Sequence, residues 1–525
     1  MIPHLTQPQK IFIPPPILPG KIRVRIAPSP TGALHLGTAR SALFNYLFAK
    51  KYQGVFILRI EDTDVERSDP KFEKDIVEGL QWLGLGWDEG VRIGGEYAPY
   101  RQSERIYIYT KYLDRLLKEE KAYWCFCTPN ELAKERLKQK KAGLAIRYSR
   151  KCAVLSSAEI KKHRSEGKSS ILRLRIPDKE TTFYDLIRGP ITFHTNLLGD
   201  IAIAKNISTP LYNFAAVIDD YEMAITHILR GEDHIANTPK QIAIAEALEI
   251  QSPQFGHFPL ILGKDRTKLS KRHGAASVQD LRNLGYLPEA VINFLALLGW
   301  NPKDNREIFS LDELIEAFSL EGIQHGGAIW GQEKLDWFNT QFMRHSEKRW
   351  LNDRKSLPNE LIEYMTSLVK KAVVKEDPTF IRKRCSDIVY LVLERLPLSN
   401  LEKDFMSEFG FFFGLPQIKS ELLFWKNMNV ADIRQALKDI FIILEKIPAE
   451  EWEIKIIRKM IFHHAEKTND RGRILWPLRI ALSGQQKSPG PHEIASILGK
   501  EETLTRIKKA ITVLKENGKN EKPMR

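Results

Sequence analysis

The feature that most constrains this chain is the alternation of strand-like and helix-like segments near its N-terminus. KIRVRIAP alternates like a strand, the turn-rich PSPTG follows, and HLGTARSALFNYLFAKKY has the apolar spacing of a helix. GVFILRIED then reads as a second, buried strand and KFEKDIVEGLQWLGL as a second amphipathic helix. Strands that alternate with helices indicate a parallel, doubly wound α/β sheet, which binds its ligands at the carboxyl ends of the strands.

The alternation is interrupted and later resumes, which predicts a multidomain chain. A basic stretch and short strands such as SSILRLRIP and GPITFHTN indicate an α+β insertion, after which YNFAAVIDD and THILRGEDH continue the α/β domain. The predicted segments, in chain order, are a loose extension (1–20), the first part of the α/β domain (21–100), the insertion (101–211), the second part of the α/β domain (212–267), a domain with the KLSKR loop (268–345) and a helical region of two subdomains (346–525).

The composition supports a folded chain with a polyanionic partner. Among 525 residues, 80 are basic and 66 acidic, and the net charge of +14 favours nucleic acid as that partner. Hydrophobic residues make up 43%, which excludes a disordered chain. No stretch approaches the roughly 18 uncharged apolar residues of a bilayer span, so we expect no membrane insertion. Four cysteines in so long a chain do not form a disulfide framework, which indicates a reducing, cytoplasmic setting.

The most informative segment is PSPTGALHLGT, from Pro28 to Thr38, because a loop shaped by glycine and proline enters a helix there. Backbone N–H groups at a helix N-terminus bind anions, and glycine lets a phosphate approach the chain. His35 can donate a hydrogen bond to a phosphoryl oxygen, so the segment predicts a phosphate site. The alternative is an ordinary turn between a strand and a helix, with a surface histidine.

A second segment, KLSKR from Lys268 to Arg272, follows the apolar FPLIL and a short GKDRT turn. Two lysines and an arginine beside small residues predict a mobile cationic loop that closes on a triphosphate and neutralises departing pyrophosphate. By itself such a segment is more often a solvated basic turn. Its pairing with the first segment favours the phosphate-binding interpretation.

Together the two segments resemble the signatures of class I aminoacyl-tRNA synthetases, a HIGH-like and a KMSKS-like loop on a split Rossmann (HUP-type) domain. HLGT and KLSKR match these loops here. RIAPSPTGALHLGT, LRIEDTD, YNFAAVIDD, THILRGEDH and KLDWFN are similar to bacterial glutamyl-tRNA synthetases. Thr38 stands where the class-wide pattern has a second histidine, a departure that the glutamyl subgroup shares. LWPLRIALSGQQKSPGPHEIASILGKEETLTRI resembles the end of that family's all-α anticodon-binding half.

The resemblance implies a ligase that activates L-glutamate with ATP and Mg²⁺ and transfers it to the 3′ end of tRNA-Glu. It implies that His35 and Lys271 are catalytic and stabilise the phosphates. The ATP-binding residues that it implies are Pro28, Gly32, His35, Gly37, Thr38, Asp233, Lys268, Ser270, Lys271 and Arg272.

An acidic amino acid needs cationic ligands, and the resemblance implies Arg25 on the first strand and Arg230 in RGEDH, because a guanidinium fork holds a carboxylate through two hydrogen bonds. Glu61 suits the ammonium group of the substrate. The alternative for Glu61 is a cap at a strand end, and for Arg230 an ion pair with Glu232 or Asp233. The glutamate-binding residues implied by the resemblance are Arg25, Ser29, Glu61, Tyr212 and Arg230.

Three of the four cysteines lie close together in the sequence, which indicates a metal site. Cys125 and Cys127 begin a metal-like motif and Cys152 is a third ligand candidate, but structural zinc takes four ligands. Many relatives place a ligand two residues after the third cysteine, where this chain has Val154. Tyr148 resembles a ligand of the glutamyl-queuosine tRNA-Asp synthetases, which implies one zinc ion held by Cys125, Cys127, Tyr148 and Cys152. The alternative is a set of reduced thiols without zinc.

Three classes of function stay open from the sequence. An aminoacyl-tRNA ligase is favoured, because a nucleotidyltransferase with a HIGH-like loop does not need the long helical C-terminal half. A noncatalytic tRNA-binding relative is expected to have lost His35, Lys271 or the arginine pair, all of which are present. Charging of tRNA-Gln as well as tRNA-Glu stays open, and a monomer is the default expectation.

Overall fold

The structure is a computed structural model that describes residues 18–64, 66–270, 276–350, 359–373 and 377–517. These residues form two compact units. The first extends to residue 281 and includes 287–338, and the second combines 282–286 with the residues from 339 onward. Residues 1–17, most of the predicted N-terminal extension, lie outside the described residues. None of the described helices is long and apolar enough to cross a membrane.

The first unit contains the strands of the described chain. They are β1 (Arg23–Ile26), β2 (Val55–Leu58), β3 (Glu89–Gly90), β4 (Ala122–Cys125), β5 (Ile171–Leu174), β6 (Glu180–Asp185), β7 (Gly189–His194), β8 (Ala202–Asn206), β9 (Thr209–Pro210), β10 (His227–Gly231), β11 (Gln254–Phe258), β12 (Ile261–Leu262) and β13 (Ala328–Ile329).

Helices occur in both units. They are α1 (Leu36–Lys51), α2 (Pro70–Trp82), α3 (Ile106–Lys118), α4 (Pro129–Lys141), α5 (Ser157–Ser165), α6 (Tyr212–Glu222), α7 (Thr238–Ala247), α8 (Val278–Asn283), α9 (Pro288–Leu297), α10 (Leu311–Ala317), α11 (Gln332–Trp350), α12 (Asn359–Ala372), α13 (Pro378–Arg395), α14 (Leu401–Phe409), α15 (Val430–Glu445), α16 (Ile454–Ala465), α17 (Gly472–Ser483), α18 (Pro491–Leu498) and α19 (Lys500–Asn517).

The central sheet of the first unit has two halves that meet between β1 and β10. In one half β1, β2 and β3 pair in parallel; in the other, β10, β11 and β6 pair in parallel and β7 is antiparallel to β6. β10 follows Thr226, whose N–H donates to the Arg23 carbonyl oxygen of β1 at 2.9 Å. The chain moves outward from β1 to β2 and β3 on one side of this junction and from β10 to β11 on the other, so the junction is a topological switch point. The predicted Rossmann-like α/β fold is confirmed.

Helix α1 starts at this junction and is buried on most of its surface. Leu43, Leu47 and Phe44 are fully buried, and the Phe44 ring meets Phe258 edge-on with ring centroids 5.0 Å apart. Full burial of each such side chain stabilises the fold by about 1.5–3 kcal/mol. This packing holds the N-terminus of α1 at the carboxyl ends of the strands.

Residues 101–211, predicted as an insertion, contribute to two sheets. β4, β5, β8 and β9 form an antiparallel sheet, and its core includes Leu172 together with Tyr109 of α3 and Phe214 of α6. β6 and β7 instead extend the central sheet, because Asp185 of β6 pairs with Phe255 of β11. This part of the insertion is therefore continuous with the α/β domain.

The second unit consists of helices and short 3₁₀ turns over its described residues. α15, α17 and α19 form its centre, with Ile440, Leu478 and Ile507 fully buried. Arg506 of α19 is also fully buried and donates to the Leu482 carbonyl oxygen at 2.5 Å. The predicted all-α C-terminal half is confirmed.

Candidate active site

A cavity of about 430 Å³ opens at the switch point between β1 and β10. The predicted site residues that line it are Arg25, Pro28, Ser29, His35, Gly37, Thr38, Glu61, Tyr212, Arg230, Asp233 and Lys268. Gly32 and Ser270 are described but do not line it, and Lys271 and Arg272 lie outside the described residues. Both sequence segments predicted to bind phosphate therefore contribute to one cavity.

His35 forms the N-cap of α1. Its Nδ1 accepts a hydrogen bond from the Gly37 N–H at 3.1 Å, so the neutral ring carries its proton on Nε2. Burial lowers the pKa of the His35 imidazole and the Lys268 charge lowers it further, against a hydrogen bond with the Leu269 backbone. At neutral pH the ring is therefore an uncharged donor at a helix N-terminus, where the helix dipole favours anions.

The beginning of the KLSKR segment lies beside this helix start. The Leu269 N–H donates to the Ile261 carbonyl oxygen of β12 at 2.9 Å, which anchors the segment to the strand. The Lys268 ammonium lies 2.7 Å from Asp233 Oδ2. Burial acts to raise the pKa of the Asp233 carboxyl, but the Lys268 hydrogen bond and neighbouring charges hold that pKa below its usual value. A cation and a carboxylate thus stand side by side at the cavity rim.

Four buried charged side chains form a network along another wall of the cavity. Arg25 donates from Nε and Nη2 to the two carboxylate oxygens of Asp220, at 3.0 and 3.3 Å. Arg59 donates to Asp220 Oδ1 at 2.7 Å and to Glu61 Oε1 at 2.9 Å. Burial raises the pKa of the Glu61 carboxyl, and the Arg59 and Arg25 charges oppose that rise. These charge-assisted hydrogen bonds orient Arg25 and Glu61 at the cavity.

Arg230 lines the cavity from β10 and is 7% exposed. Its Nε donates to His257 Nε2 at 3.2 Å, and its Nη2 donates to Thr238 Oγ1 and Gln241 Oε1, each at 2.8 Å. Its Nη1 is buried and has no hydrogen-bond partner among the described residues. A buried guanidinium nitrogen without an acceptor is costly, so this atom is suited to receive an anionic ligand.

The ion pair that the sequence left open for Arg230 is not formed in the described residues. Glu232 pairs with Arg188, and Asp233 pairs with Lys268. The described partners of Arg230 are uncharged groups, so its charge stays available to a ligand in the cavity.

Tyr212 and His234 complete the wall next to Arg230. The Tyr212 hydroxyl lies 3.2 Å from His234 Nδ1. Burial raises the pKa of the Tyr212 phenol to about 12, so it stays protonated at neutral pH. Burial and the Arg230 charge lower the pKa of His234 to about 4, so the ring stays neutral.

The three cysteines of the insertion form a second candidate site. Their sulfur atoms lie within 4.8 Å of one another, and Cys127 Sγ is 3.6 Å from Cys152 Sγ. The Tyr148 hydroxyl lies 3.3 Å from Cys125 Sγ and 3.4 Å from Cys127 Sγ. Val154 is 86% exposed and turned to solvent. The structure therefore brings together the four side chains selected from the sequence, and Val154 stands apart from them.

Comparison with known proteins identifies the family. Residues 21–337 match the family described as tRNA synthetases class I (E and Q), catalytic domain, and residues 360–511 match an anticodon binding domain. A glutamate–tRNA ligase of Carboxydothermus hydrogenoformans is 44% identical over 498 residues, 93% of this chain and 99% of that protein. The chain belongs to the glutamate–tRNA ligase family.

Other members of this family agree in length and fold. A glutamate–tRNA ligase of Sulfurihydrogenibium sp. is 42% identical over 489 residues, 93% of this chain and 98% of the relative. A crystal structure of a glutamate tRNA ligase from Elizabethkingia meningosepticum in complex with its amino acid is 36% identical, with a TM-score of 0.74. A second structure, from Elizabethkingia anophelis, is also 36% identical, with a TM-score of 0.76. Each structural match covers 94% of this chain and 100% of the other.

Sequence reasoning missed several residues of this glutamate–tRNA ligase family member that contribute to the cavity. Arg40 and His234 line it, and Arg59 and Asp220 hold Arg25 and Glu61 in place. Arg59 and Asp220 stand in LRIED and YNFAAVIDD, two segments that carried the family resemblance. Charged residues next to buried apolar runs could have identified Arg59 and Asp220 as candidates. This pattern does not indicate which charged residues pair with each other.

Proposed function

We propose that this synthetase activates L-glutamate with ATP to glutamyl-adenylate and pyrophosphate, and then transfers glutamate to the 3′ end of tRNA-Glu. The observation that carries the proposal is the Nη1 atom of Arg230, a buried cationic donor without a partner among the described residues, at the wall of the cavity. A side-chain carboxylate supplies the acceptor that this atom lacks.

The amino acid is held by groups of opposite sign that line the same cavity. Arg230 and Arg25 bind the side-chain carboxylate, and Glu61 binds the ammonium group. Ser29 and Tyr212 supply hydroxyl groups to the same space. The support for these roles is that all five residues line one cavity and that buried partners hold Arg25, Glu61 and Arg230.

The ATP phosphates lie at the N-terminus of α1 in this proposal. His35 donates from Nε2, Gly37 and Thr38 shape the helix entry, and the cationic loop from Lys268 to Arg272 neutralises the departing pyrophosphate. Pro28, Gly32, Asp233 and Ser270 complete the predicted ATP set. Mg²⁺ accompanies the triphosphate and supplies further charge neutralisation. Because activation is driven by ATP, the protein contributes positioning and electrostatic stabilisation.

Two assays test the function. We expect glutamate, and not glutamine, to support exchange of pyrophosphate into ATP in the presence of tRNA. We also expect purified tRNA-Glu to be charged with glutamate, and tRNA-Gln charged side by side shows how far the enzyme discriminates. Absence of glutamate-dependent exchange with folded protein contradicts the proposal and favours a noncatalytic tRNA-binding protein.

The cysteine cluster is proposed to hold one structural Zn²⁺ through Cys125, Cys127, Cys152 and Tyr148. Sulfur ligands of tetrahedral zinc at about 2.3 Å lie about 3.8 Å apart, which is close to the 3.6 Å between Cys127 and Cys152 Sγ. The Arg173 guanidinium lies 3.9 Å from the centre of the Tyr148 ring and helps to orient the ring. When bound, zinc supplies a cross-link between β4 and the Lys151–Val154 turn.

Metal analysis of the purified protein and its variants tests this site. We expect one equivalent of zinc in the purified protein, loss of zinc with Cys152→Ser, and reduced zinc retention with Tyr148→Phe. Cys385→Ser is the matched control, because Cys385 is a buried cysteine of the second unit and should leave the zinc content unchanged. Zinc well below one equivalent in the wild-type protein rejects the site.

The remaining expectations stay predictions. They are the bounds of the six predicted segments, a monomeric state and a cytoplasmic location. The boundary predicted at residues 345 and 346 is close to the start of the second unit at residue 339.

A further inference from the structure

Three side chains from neighbouring strands form one buried line that ends at the cavity. They are Asp185 at the end of β6, His257 in β11 and Arg230 in β10, and the first two are fully buried. Strand register creates the line, because His257 pairs with Arg230 and Phe255 pairs with Asp185 in parallel ladders. Asp185 and His257 do not line the cavity, and neither has a role in the function proposed above.

The Asp185 carboxylate is saturated with donors. Its Oδ1 accepts from the backbone N–H groups of Ile187, Arg188 and His257 at 3.0, 2.9 and 3.3 Å. Its Oδ2 lies 2.5 Å from His257 Nδ1. Burial acts to raise the pKa of Asp185, but these hydrogen bonds and the His257 contact hold it below its usual value. Asp185 is therefore ionised and can only accept hydrogen bonds.

An acceptor at Asp185 determines the tautomer of His257. Nδ1 must carry the proton that it donates to Asp185, so Nε2 keeps its lone pair. That lone pair accepts from Arg230 Nε at 3.2 Å and faces the Thr238 hydroxyl at 3.1 Å. Burial lowers the pKa of the His257 imidazole and the Arg230 charge acts in the same direction, against the Asp185 hydrogen bond. The ring is therefore neutral and oriented as an acceptor.

The consequence is visible in the donors of Arg230. Nε is held by His257, and Nη2 is held by Thr238 and Gln241. Nη1 is the guanidinium nitrogen left without a described partner, and Arg230 lines the same cavity as Arg25 and Glu61. Rotation of the guanidinium plane breaks the hydrogen bond to His257, so that bond, together with the two made by Nη2, fixes the position of Nη1.

We propose that Asp185 and His257 are positioning residues that orient Arg230 to read the side-chain carboxylate of the amino acid substrate. The inference rests on the proposed glutamate site. Asp185 belongs to the predicted insertion and does not line the cavity. It acts on substrate specificity indirectly, because it orients the His257 imidazole, which in turn orients Arg230.

Asp185→Asn is the most specific test, because asparagine has the shape of aspartate but reverses the direction of the hydrogen bond to His257 Nδ1. An asparagine oxygen that still accepts from the three backbone N–H groups presents its NH₂ group to His257 Nδ1. The ring must then carry its proton on Nε2, which opposes the Nε–H of Arg230. We expect the KM for glutamate to rise by about 10- to 100-fold, the effect of losing one charge-assisted hydrogen bond, with the KM for ATP within about twofold.

His257→Phe and His257→Gln separate orientation from packing. Phenylalanine keeps a planar ring beside Phe255 but removes the acceptor, and should raise the KM for glutamate as Asp185→Asn does. Glutamine returns an acceptor for Arg230 Nε, so His257→Gln should raise the KM for glutamate less than His257→Phe does. The double variant Asp185→Asn/His257→Phe should have the same KM for glutamate as His257→Phe alone, because both substitutions act through the hydrogen bond between His257 and Arg230.

The matched control is His227→Phe. His227 is a second buried histidine; it lies in β10, three residues before Arg230, and does not line the cavity. The substitution should leave the KM for glutamate unchanged at neutral pH. An unchanged KM for glutamate in Asp185→Asn and His257→Phe overturns the proposal while leaving the function in place. The proposal is also overturned if the KM values for glutamate and ATP rise equally, or if unfolding of the variants alone explains the rise in the KM for glutamate.

A second measurement does not use activity. In protein with nitrogen-15-labelled histidine, the His257 resonances should show a protonated Nδ1 and an unprotonated Nε2, and Asp185→Asn should exchange these states. A protonated Nε2 in the wild-type protein overturns the proposal even where glutamate is activated. The expected tautomer in a protein that fails to activate glutamate supports the buried arrangement and rejects only the proposed function.

Discussion

At the residue scale, chemistry depends on how each charge in the cavity is compensated. Arg25 and Glu61 have buried partners of opposite charge, whereas the described partners of Arg230 are uncharged. The first two are therefore held as pre-oriented charges, and Arg230 carries the unmatched one. This difference predicts distinct outcomes for substitutions that look equivalent in the sequence.

Arg25→Leu should raise the KM for glutamate by about 100-fold or more, because a buried, charge-assisted ligand of the substrate carboxylate is lost. The substitution also leaves Asp220 with Arg59 as its described guanidinium partner. Measuring Arg25→Leu/Asp220→Asn separates the two effects. If neutralising Asp220 restores the KM for glutamate, Arg25 serves Asp220 and another residue reads the substrate.

Lys271→Ala should leave folding intact and reduce glutamate-dependent pyrophosphate exchange by about 100-fold or more, because a cation at departing pyrophosphate acts on the transition state. Lys264→Ala is the matched control, since Lys264 stands in the preceding GKDRT turn and its side chain is 77% exposed. Near-normal exchange in Lys271→Ala removes this lysine from the mechanism.

At the scale of elements, β10 contains both Arg230, which lines the cavity, and a buried titratable group. Its first residue, His227, is 5% exposed, and its Nε2 has no hydrogen-bond partner among the described residues. Burial lowers the pKa of His227 to about 4. Protonation of this side chain therefore destabilises the strand that contains Arg230.

The first unit should lose stability as pH falls from about 6.5 to about 4. The unfolded chain binds a proton at the usual histidine pKa of 6.5, whereas burial keeps His227 of the folded chain unprotonated down to about pH 4. The contribution to stability is therefore full above pH 6.5 and is lost as the pH falls below that value. The loss is at most about 1.4 kcal/mol per pH unit. Thermal unfolding at several pH values should show a shallower fall for His227→Phe. His194→Phe, at an exposed position of β7, should keep the wild-type dependence, and equal slopes for all three proteins contradict the prediction.

At the scale of the whole molecule, two compact units and a net charge of +14 suit a ligand with a long phosphate backbone. In the proposed function the small substrates bind in one cavity of the first unit, whereas a tRNA is large enough to contact a far larger surface. The two kinds of substrate should therefore differ in their response to salt.

The KM for tRNA should rise by about tenfold or more between 50 and 200 mM salt, because each phosphate neutralised by lysine or arginine releases a counterion. The KM for glutamate, measured by pyrophosphate exchange with tRNA held at saturation, should change far less, because its ligands are buried and poorly screened. Parallel salt dependence of both constants contradicts a dominant backbone contribution to tRNA binding.

The sequence alone determined the fold class, the family and the two segments that meet at the cavity. Local patterns suffice for these, because strand alternation, helix periodicity and a glycine-containing helix entry each depend on residues close together in the chain. Nearly all of the ATP- and glutamate-binding residues implied by the resemblance that the structure describes also line one cavity, as Arg25, His35 and Arg230 illustrate.

Only the tertiary structure decided which charges are paired and which are left for a ligand. Arg230 could have paired with Glu232 or Asp233 as far as sequence spacing shows, but strand register places it against His257 instead. Asp185 lies in a segment predicted as an insertion, and its strand nevertheless joins the central sheet. Pairing between strands far apart in sequence depends on the global packing of the sheet, and no local pattern encodes it.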